Sequence, residues 1–235
     1  MNKQLFEQGL SKLELEADSK TIEKFVQYSE LLKEWNEKIN LTAITDDDGI
    51  TIKHFLDSVL PLKIVDIENQ SLADIGTGAG FPGLPLKLLR PDIKLTLIDS
   101  LNKRIKFLEH VCDELEIDDV VYIHGRAEEL GRKELRESFD IVVSRAVANM
   151  TALSEYCLPF VKPGGKFIAL KAQDSEAEIS AARSIIGNLG GKITEMVDVP
   201  VPLSDITRTL IIIEKIKPTP KVFPRTAKKI KQSGK

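Results

Sequence analysis

The sequence predicts an α/β domain on a mostly parallel sheet that closes in an antiparallel strand pair, with a helical extension before it and a basic tail after it. Three observations carry this reading. Between residues 72 and 170, five short apolar runs alternate with helical stretches, the pattern of strands joined by crossover helices. The alternation then breaks, because the last two strands follow one another with only a turn between them. Before residue 67 the apolar residues keep helical spacing.

Taken in order, helices are expected at 3–16 and 19–39. In the second, Ile22, Phe25, Val26, Leu31, Leu32, Trp35 and Ile39 recur at helical spacing. A third helix is expected from about 49 to 65, entered from Asp46-Asp47-Asp48. Strands are expected at Leu72–Ile75, Leu95–Ile98, Val120–Ile123, Ile141–Val143 and Phe167–Leu170. Helices are expected at about 82–89, 102–116, 126–137, 149–158 and 174–188. Lys192–Val199 and Arg208–Ile216 are two further strands, linked by the turn-rich stretch Pro200–Asp205. No helix fits between them, so they should pair antiparallel. The chain therefore divides into a helical extension (1–66), a seven-stranded domain (67–216) and a tail (217–235).

Composition narrows the class. Apolar content of 42% and charged content of 29% suit a globular chain. No apolar run is long enough to span a membrane, and Met1–Phe6 does not open a signal peptide. Cys112 and Cys157 show no metal-ligand spacing, which predicts a reducing cytoplasm. His54, His110 and His124 are scattered, and no metal is expected. The net charge of −3 is uneven. Lys217, Lys221, Arg225, Lys228, Lys229, Lys231 and Lys235 put seven cations and no acid in the tail. The chain's 33 basic and 36 acidic residues then leave 26 against 36 in residues 1–216, a net of −10. Such a tail is expected to be disordered, to hold a polyanion and to lie far from the chemistry.

The most informative stretch is Leu72-Ala73-Asp74-Ile75-Gly76-Thr77-Gly78-Ala79-Gly80-Phe81-Pro82-Gly83. A strand runs into a loop with Gly76, Gly78 and Gly80 at alternate positions, where a ligand can approach the backbone closely. The frame Gly78–Gly83 also matches the dinucleotide pattern, so a nicotinamide-dependent oxidoreductase is the main alternative. Against it, Phe81 stands where the strand-anchored frame wants a third glycine, and the last two strands do not continue the strand–helix alternation. A carboxylate at Asp74 would repel a pyrophosphate but suits a ligand with an ammonium and a sulfonium. S-adenosylmethionine has both, and its carboxylate could meet the helix N-terminus after Pro82. Asp99 ends the next strand, 23 residues after Gly76, where an acid accepts ribose hydroxyls. The layout is that of a Rossmann-like S-adenosylmethionine methyltransferase fold. A non-catalytic RNA-binding module, or a methyltransferase acting on a protein or small molecule, are the other readings.

The sequence resembles the glucose-inhibited division protein B family, the 16S ribosomal RNA guanine-N7 methyltransferases. The resemblance rests on Trp35-Asn36, Asn40-Leu41-Thr42-Ala43-Ile44, His54-Phe55-Leu56-Asp57-Ser58 and Asp74 through Gly83. It continues with Asp99-Ser100-Leu101, Lys103-Arg104, Gly125-Arg126-Ala127-Glu128-Glu129, Ser144-Arg145-Ala146 and Ala169-Leu170-Lys171, and the Arg208–Lys215 strand extends it. It implies methylation of N7 of a guanine in 16S ribosomal RNA or the small ribosomal subunit, with S-adenosylmethionine as donor; separately, a monomer is expected. It implies that Gly76 and Phe81 contact the cofactor, that Ala127 and Glu128 lie along the adenine, and that Arg145 faces cofactor and target base. In the tail Phe223-Pro224-Arg225 matches, whereas Thr226-Ala227-Lys228-Lys229 departs from the family's Gly- and Pro-containing ending.

The chemistry is compatible. Guanine N7 carries a lone pair and no proton, so alignment in a dry site suffices. After the fourth strand stands Ser144-Arg145-Ala146, not the Asn/Asp-Pro-Pro-Tyr segment that binds exocyclic amines, and neither cysteine follows a proline. Arg145 and Lys171, at strand ends on the ligand-binding edge, are the expected catalytic contacts. Lys103 and Arg104 open a helix with Ser100 as its expected cap and are candidates to meet RNA phosphate. His54, Asp57 and Ser58 share one helix face, which favours a local hydrogen bond, although the resemblance also allows His54 to line the pocket entrance. Trp35 is expected in the core.

Overall fold

Asn2 and Asp18 start the first two helices. Their side chains accept hydrogen bonds from Leu5 N (3.1 Å) and Thr21 N (2.7 Å), capping α1 (Lys3–Lys12) and α2 (Ser19–Ile39). Asn40, at φ 49°, ends α2. The third helical run is broken up. α3 (Asp47–Gly49), capped by Asp46, leads into a π-helical stretch (Ile50–Leu56), then α4 (Asp57–Val59) and α5 (Pro61–Ile64). The wide turn sets His54, Asp57 and Ser58 at the point where this run meets the sheet. Such π segments frequently sit at functional sites.

The computed structural model describes residues 1–145, 148–173 and 175–233. Ala146 of the Ser144-Arg145-Ala146 stretch, Asp174 at an expected helix start and Lys235 of the tail lie outside the described residues.

The strands are β1 (Ser71–Ile75), β2 (Lys94–Asp99), β3 (Val120–His124), β4 (Phe139–Ser144), β5 (Val161–Ala172), β6 (Gly191–Pro200) and β7 (Thr207–Lys215). They form one sheet in the order β3-β2-β1-β4-β5-β7-β6. The first five are parallel; β7 runs antiparallel to both β5 and β6. Strand order reverses between β1 and β4, the place where ligands bind beyond the strands' carboxyl ends.

Both faces of the central strands β2, β1, β4 and β7 are covered, which is why these strands read as near-continuous apolar runs. On one face Leu72, Leu95, Leu97, Ile141, Val143 and Ile212 share a core with α6 (Gly83–Leu89), α7 (Asn102–Glu114) and the N-terminal helices. On the other, Ala73, Val142, Phe167, Ala169 and Ile211 pack under α9 (Met150–Cys157) and α10 (Glu176–Asn188). An aromatic chain ties the extension to the glycine loop: Phe6 lies 4.5 Å from Phe25, Phe25 5.1 Å from Phe55, and Tyr28 5.6 Å from Phe81, between ring centroids. Trp35 packs on Phe107 and His110.

Three expectations need correcting. The helix expected at 126–137 contracts to α8 (Ala127–Leu130), because Arg132 and Arg136 leave the helical path to donate to backbone carbonyls of Phe223, Pro224 and their neighbours. Ser100 does not cap α7. The N-cap is Leu101, whose N–H is taken by the Asp99 carboxylate at 2.8 Å. The tail is not a disordered end. Residues 219–225 are held by named hydrogen bonds, and α11 (Ala227–Ser233) packs on α9 with Ile230 fully buried.

Candidate active site

The glycine loop hangs between two carboxylates. Gly76 N and Thr77 N donate to Ile98 O at 2.9 and 3.1 Å, which ties the loop to the end of β2. Asp99 Oδ2 accepts from Gly78 N at 2.9 Å and pairs with Arg104 at 3.3 Å. Gly76 takes φ 72°, and a Cβ there would meet nothing within 4 Å. Its backbone is therefore open for close approach. Gly80, at φ 97°, is different: a Cβ would run into Tyr28, Leu84 and Leu108, so its bare backbone makes room for packing.

Asp74 turns inward. The two-residue pleat places it on the same face as Leu72, under the N-terminal helices. It is fully buried, and its Oδ2 accepts from Thr77 Oγ1 (2.7 Å) and Gly83 N (2.8 Å), while Oδ1 has no partner among the described residues. Burial pushes its carboxyl up to about 6. One N–H of the helix N-terminus that was expected to meet a ligand carboxylate, that of Gly83, is thus already satisfied by Asp74. Asp74 fastens the start of α6 to the end of β1.

A cavity of about 290 Å3 opens at the carboxyl ends of β1 and β2. Gly76, Asp99, Ala127 and Glu128 line it, four of the expected cofactor residues brought together from three separate connections. Leu153 and Tyr156 of α9 add an apolar wall. The size is close to the lower end of the roughly 300–1,000 Å3 common for ligand pockets. Ala227 and Lys231 of α11 also line it. The tail was expected far from this loop, and the fold corrects that: α9 bridges the two.

Gly78, Gly80, Phe81, Arg145 and Lys171 do not line this cavity. Phe81 is buried, stacked 4.6 Å from His54, with the Arg145 guanidinium 5.1 Å from its ring centroid. Arg145, leaving β4, donates to Asp57 Oδ2 (2.8 Å), Lys53 O (2.9 Å) and His54 Nδ1 (3.3 Å). Arg208 on β7 donates to both Asp57 oxygens, at 2.7 and 3.1 Å. Asp57, fully buried, is the hinge of two arginines. Sequence reasoning placed it only on a helix face with His54 and Ser58; the signal was its position within a resembling stretch. Ser58 does make the expected local bond, from its hydroxyl to His54 O.

Because arginine can only donate, His54 Nδ1 must accept, and Nε2–H then donates to Thr42 Oγ1 at 2.7 Å. Burial, then the Arg145 charge, lowers the ring to about 4. Lys171 is nearly buried, donating to Ala148 O (3.0 Å) and pairing with Glu178 (2.8 Å). Glu178 in turn accepts from Met150 N, so Lys171 braces the start of α9. Lys103 is exposed.

Strand order, the antiparallel end and the cavity at the carboxyl ends of β1 and β2 define a Rossmann-like methyltransferase fold. Two solved structures share it: TYW2 from M. jannaschii in complex with AdoMet, at TM-score 0.55 and 16% identity over 74% of this chain and 80% of that one, and a SAM dependent methyltransferase from Aquifex aeolicus, at TM-score 0.54 and 15% identity over 77% and 97%. Sequence narrows the class. The rRNA small subunit methyltransferase G family matches residues 21–200. Proteins named ribosomal RNA small subunit methyltransferase G from Alkaliphilus metalliredigens (47% identical, 95% of each chain) and Clostridium perfringens (48%, covering 95% of this chain and 94% of that one) match over nearly their full length. The chain belongs to the rRNA small subunit methyltransferase G family.

Proposed function

We propose that this protein methylates N7 of a guanine in 16S ribosomal RNA, guanine 527 by its family resemblance, using S-adenosylmethionine in the cytoplasm. The donor, when bound, supplies an electrophilic methyl group on a sulfonium. The cavity fits its adenosyl half: open backbone at Gly76, an acceptor at Asp99 and apolar walls from α9.

The observation that carries the reaction type is the state of the acids and bases around Arg145. Asp57 is committed to two arginines, and His54 has both ring nitrogens engaged and is neutral well below pH 7. Neither is a general base. Burial pushes the Cys112 thiol up to about 11 and raises Cys157 as well, so neither supplies a thiolate. A proton-free ring nitrogen needs none of these groups, only alignment. Among the described residues, three of the five guanidinium N–H groups of Arg145 hold the fold, which leaves others to orient an RNA phosphate or guanine O6. Lys171 supports the site by bracing α9.

The test is to map 7-methylguanosine in small-subunit RNA from cells with and without this gene. Loss of one modified guanine in the deletion, restored by the intact gene, is the expected outcome. An unchanged map removes the reading. Titration with NADH beside S-adenosylmethionine separates the oxidoreductase alternative.

A further inference from the structure

We propose that the C-terminal segment Thr219–Ser233 is a wall of the adenosyl end of the cofactor cavity, locked in place by Arg225 and Glu155. The inference rests on S-adenosylmethionine being the ligand of that cavity.

The anchoring is dense. Arg136 donates to the carbonyls of Thr219 (2.5 Å) and Phe223 (2.9 Å), and Arg132 donates to Pro224 O (2.6 Å). Thr219 N donates to Glu137 Oε1 (2.6 Å), and its hydroxyl donates to Leu189 O (2.8 Å). Arg225 donates from Nε and Nη2 to both oxygens of Glu155, at 2.6–3.0 Å, and its backbone N–H reaches the same carboxylate. Glu155 is fully buried. A carboxylate taken from water so completely is tolerable only with a partner of this quality, so the segment and α9 are ordered together. Two residues further on α11 begins; it packs on α9, and its Ile230 is fully buried.

This anchoring matters to the cavity because of where Glu155 sits. Its helix neighbours Leu153 and Tyr156 form the apolar wall, and Ala227 and Lys231 face the same space from α11. One helix therefore carries both the wall and the socket that holds the tail. An adenosyl group is uncharged and flat, and it gains most from being enclosed by apolar surface on both sides. Without α11, the cavity would lose one of those sides.

The experiment is calorimetric titration of S-adenosylmethionine and of S-adenosylhomocysteine into the full-length protein and two full-length variants. Ala227→Trp adds bulk at a half-buried wall position and removes no anchor. Arg225→Ala combined with Glu155→Ala removes the clasp between α9 and the start of α11 without leaving a buried charge unpaired, and so loosens the wall while the anchors of residues 219–224 remain. Ala227→Trp should weaken both ligands about tenfold or more, which is about 1.4 kcal/mol, with its melting temperature unchanged. The double variant should weaken both ligands by a similar factor. Equal losses are expected because the two ligands share the adenosyl half. Unchanged affinity in Ala227→Trp, with the parent binding tightly, overturns the wall, as does a loss confined to one ligand. A parent that binds neither ligand overturns the methyl-donor reading, and the wall with it.

Discussion

Arg145 at the end of β4 and Asp57 in the π-containing helical run are joined by a 2.8 Å ion pair across 88 residues of sequence, with the carboxylate fully buried. The pair fastens the N-terminal extension to the sheet edge where the strand order reverses. Arg208 closes it from β7, so three parts of the chain meet at one carboxylate. A carboxylate this buried, gripped from both sides, holds Arg145 in one orientation beside Phe81.

Arg145→Lys keeps a positive charge but loses the fork that reaches Asp57, Lys53 O and His54 together. The protein should fold, with a stability loss of about 1.5–3 kcal/mol from the lost charged hydrogen bonds. Turnover on small subunits should fall far more than cofactor affinity, because Arg145 does not line the cavity. Normal turnover of the folded variant removes Arg145 from the target site.

Asp99→Ala deletes the acceptor at the cavity floor. One charged hydrogen bond of about 1.5–3 kcal/mol predicts roughly tenfold or more loss of S-adenosylmethionine affinity. Because Asp99 also accepts from Gly78 N and Leu101 N, part of the loss reflects a looser loop. Asp99→Asn, which keeps one acceptor, should recover part of it. Calorimetry showing unchanged affinity for the alanine variant rules the assignment out.

His54 makes stability pH-dependent in one direction. Its ring is lowered to about 4 in the fold against 6.5 in the open chain. Between those values the unfolded chain binds the extra proton, so the contribution is fully present above pH 6.5 and is lost as pH falls toward 4. The maximum loss is about 3 kcal/mol at 1.36 kcal/mol per unit. His54→Gln should therefore gain on the parent as pH falls through this window in chemical denaturation; a constant difference would show that the ring is not buried neutral.

Asp74 acts in the opposite direction over an overlapping range. Its carboxyl is raised from 3.8 to about 6, so the folded state keeps a proton that the unfolded chain releases. Stability falls as pH rises through that window. Asp74→Asn preserves an acceptor for Thr77 and Gly83 and should gain on the parent between pH 3.8 and 6, levelling off above. A parent–variant difference that stays flat from pH 4 to 7 contradicts the raised carboxyl.

Lys217, Lys221 and Lys228 of the tail are exposed. Replacing all three with Gln leaves the anchoring residues untouched. If each meets a phosphate, the slope of log affinity for RNA against log salt should flatten by about two, at roughly 0.7 per phosphate. Filter binding across a salt series reads this directly, and an unchanged slope assigns RNA contact to other surfaces.

The strand–helix alternation, the seven strands, the antiparallel end and the glycine loop were all legible in the sequence, because each is set by local periodicity and backbone freedom. Gly76 and Asp99 could be named for the same reason, since parallel strands deliver their ends to one edge, whereas Ala127 and Glu128 were named only through the family resemblance. What local pattern does not contain is which side chains meet across the fold. Asp74 shares a pleat face with Leu72, but only the Tyr28 and Phe81 packing decided that this face is closed, turning a suspected ligand contact into an internal clasp. Asp57 looked like one acid on a helix until β4 and β7 brought arginines to it. The tail looked like a solvated end because seven cations without an acid read as one. Its partner acid, Glu155, lies 70 residues away on α9, and a buried ion pair over that distance is fixed only when the helices are packed.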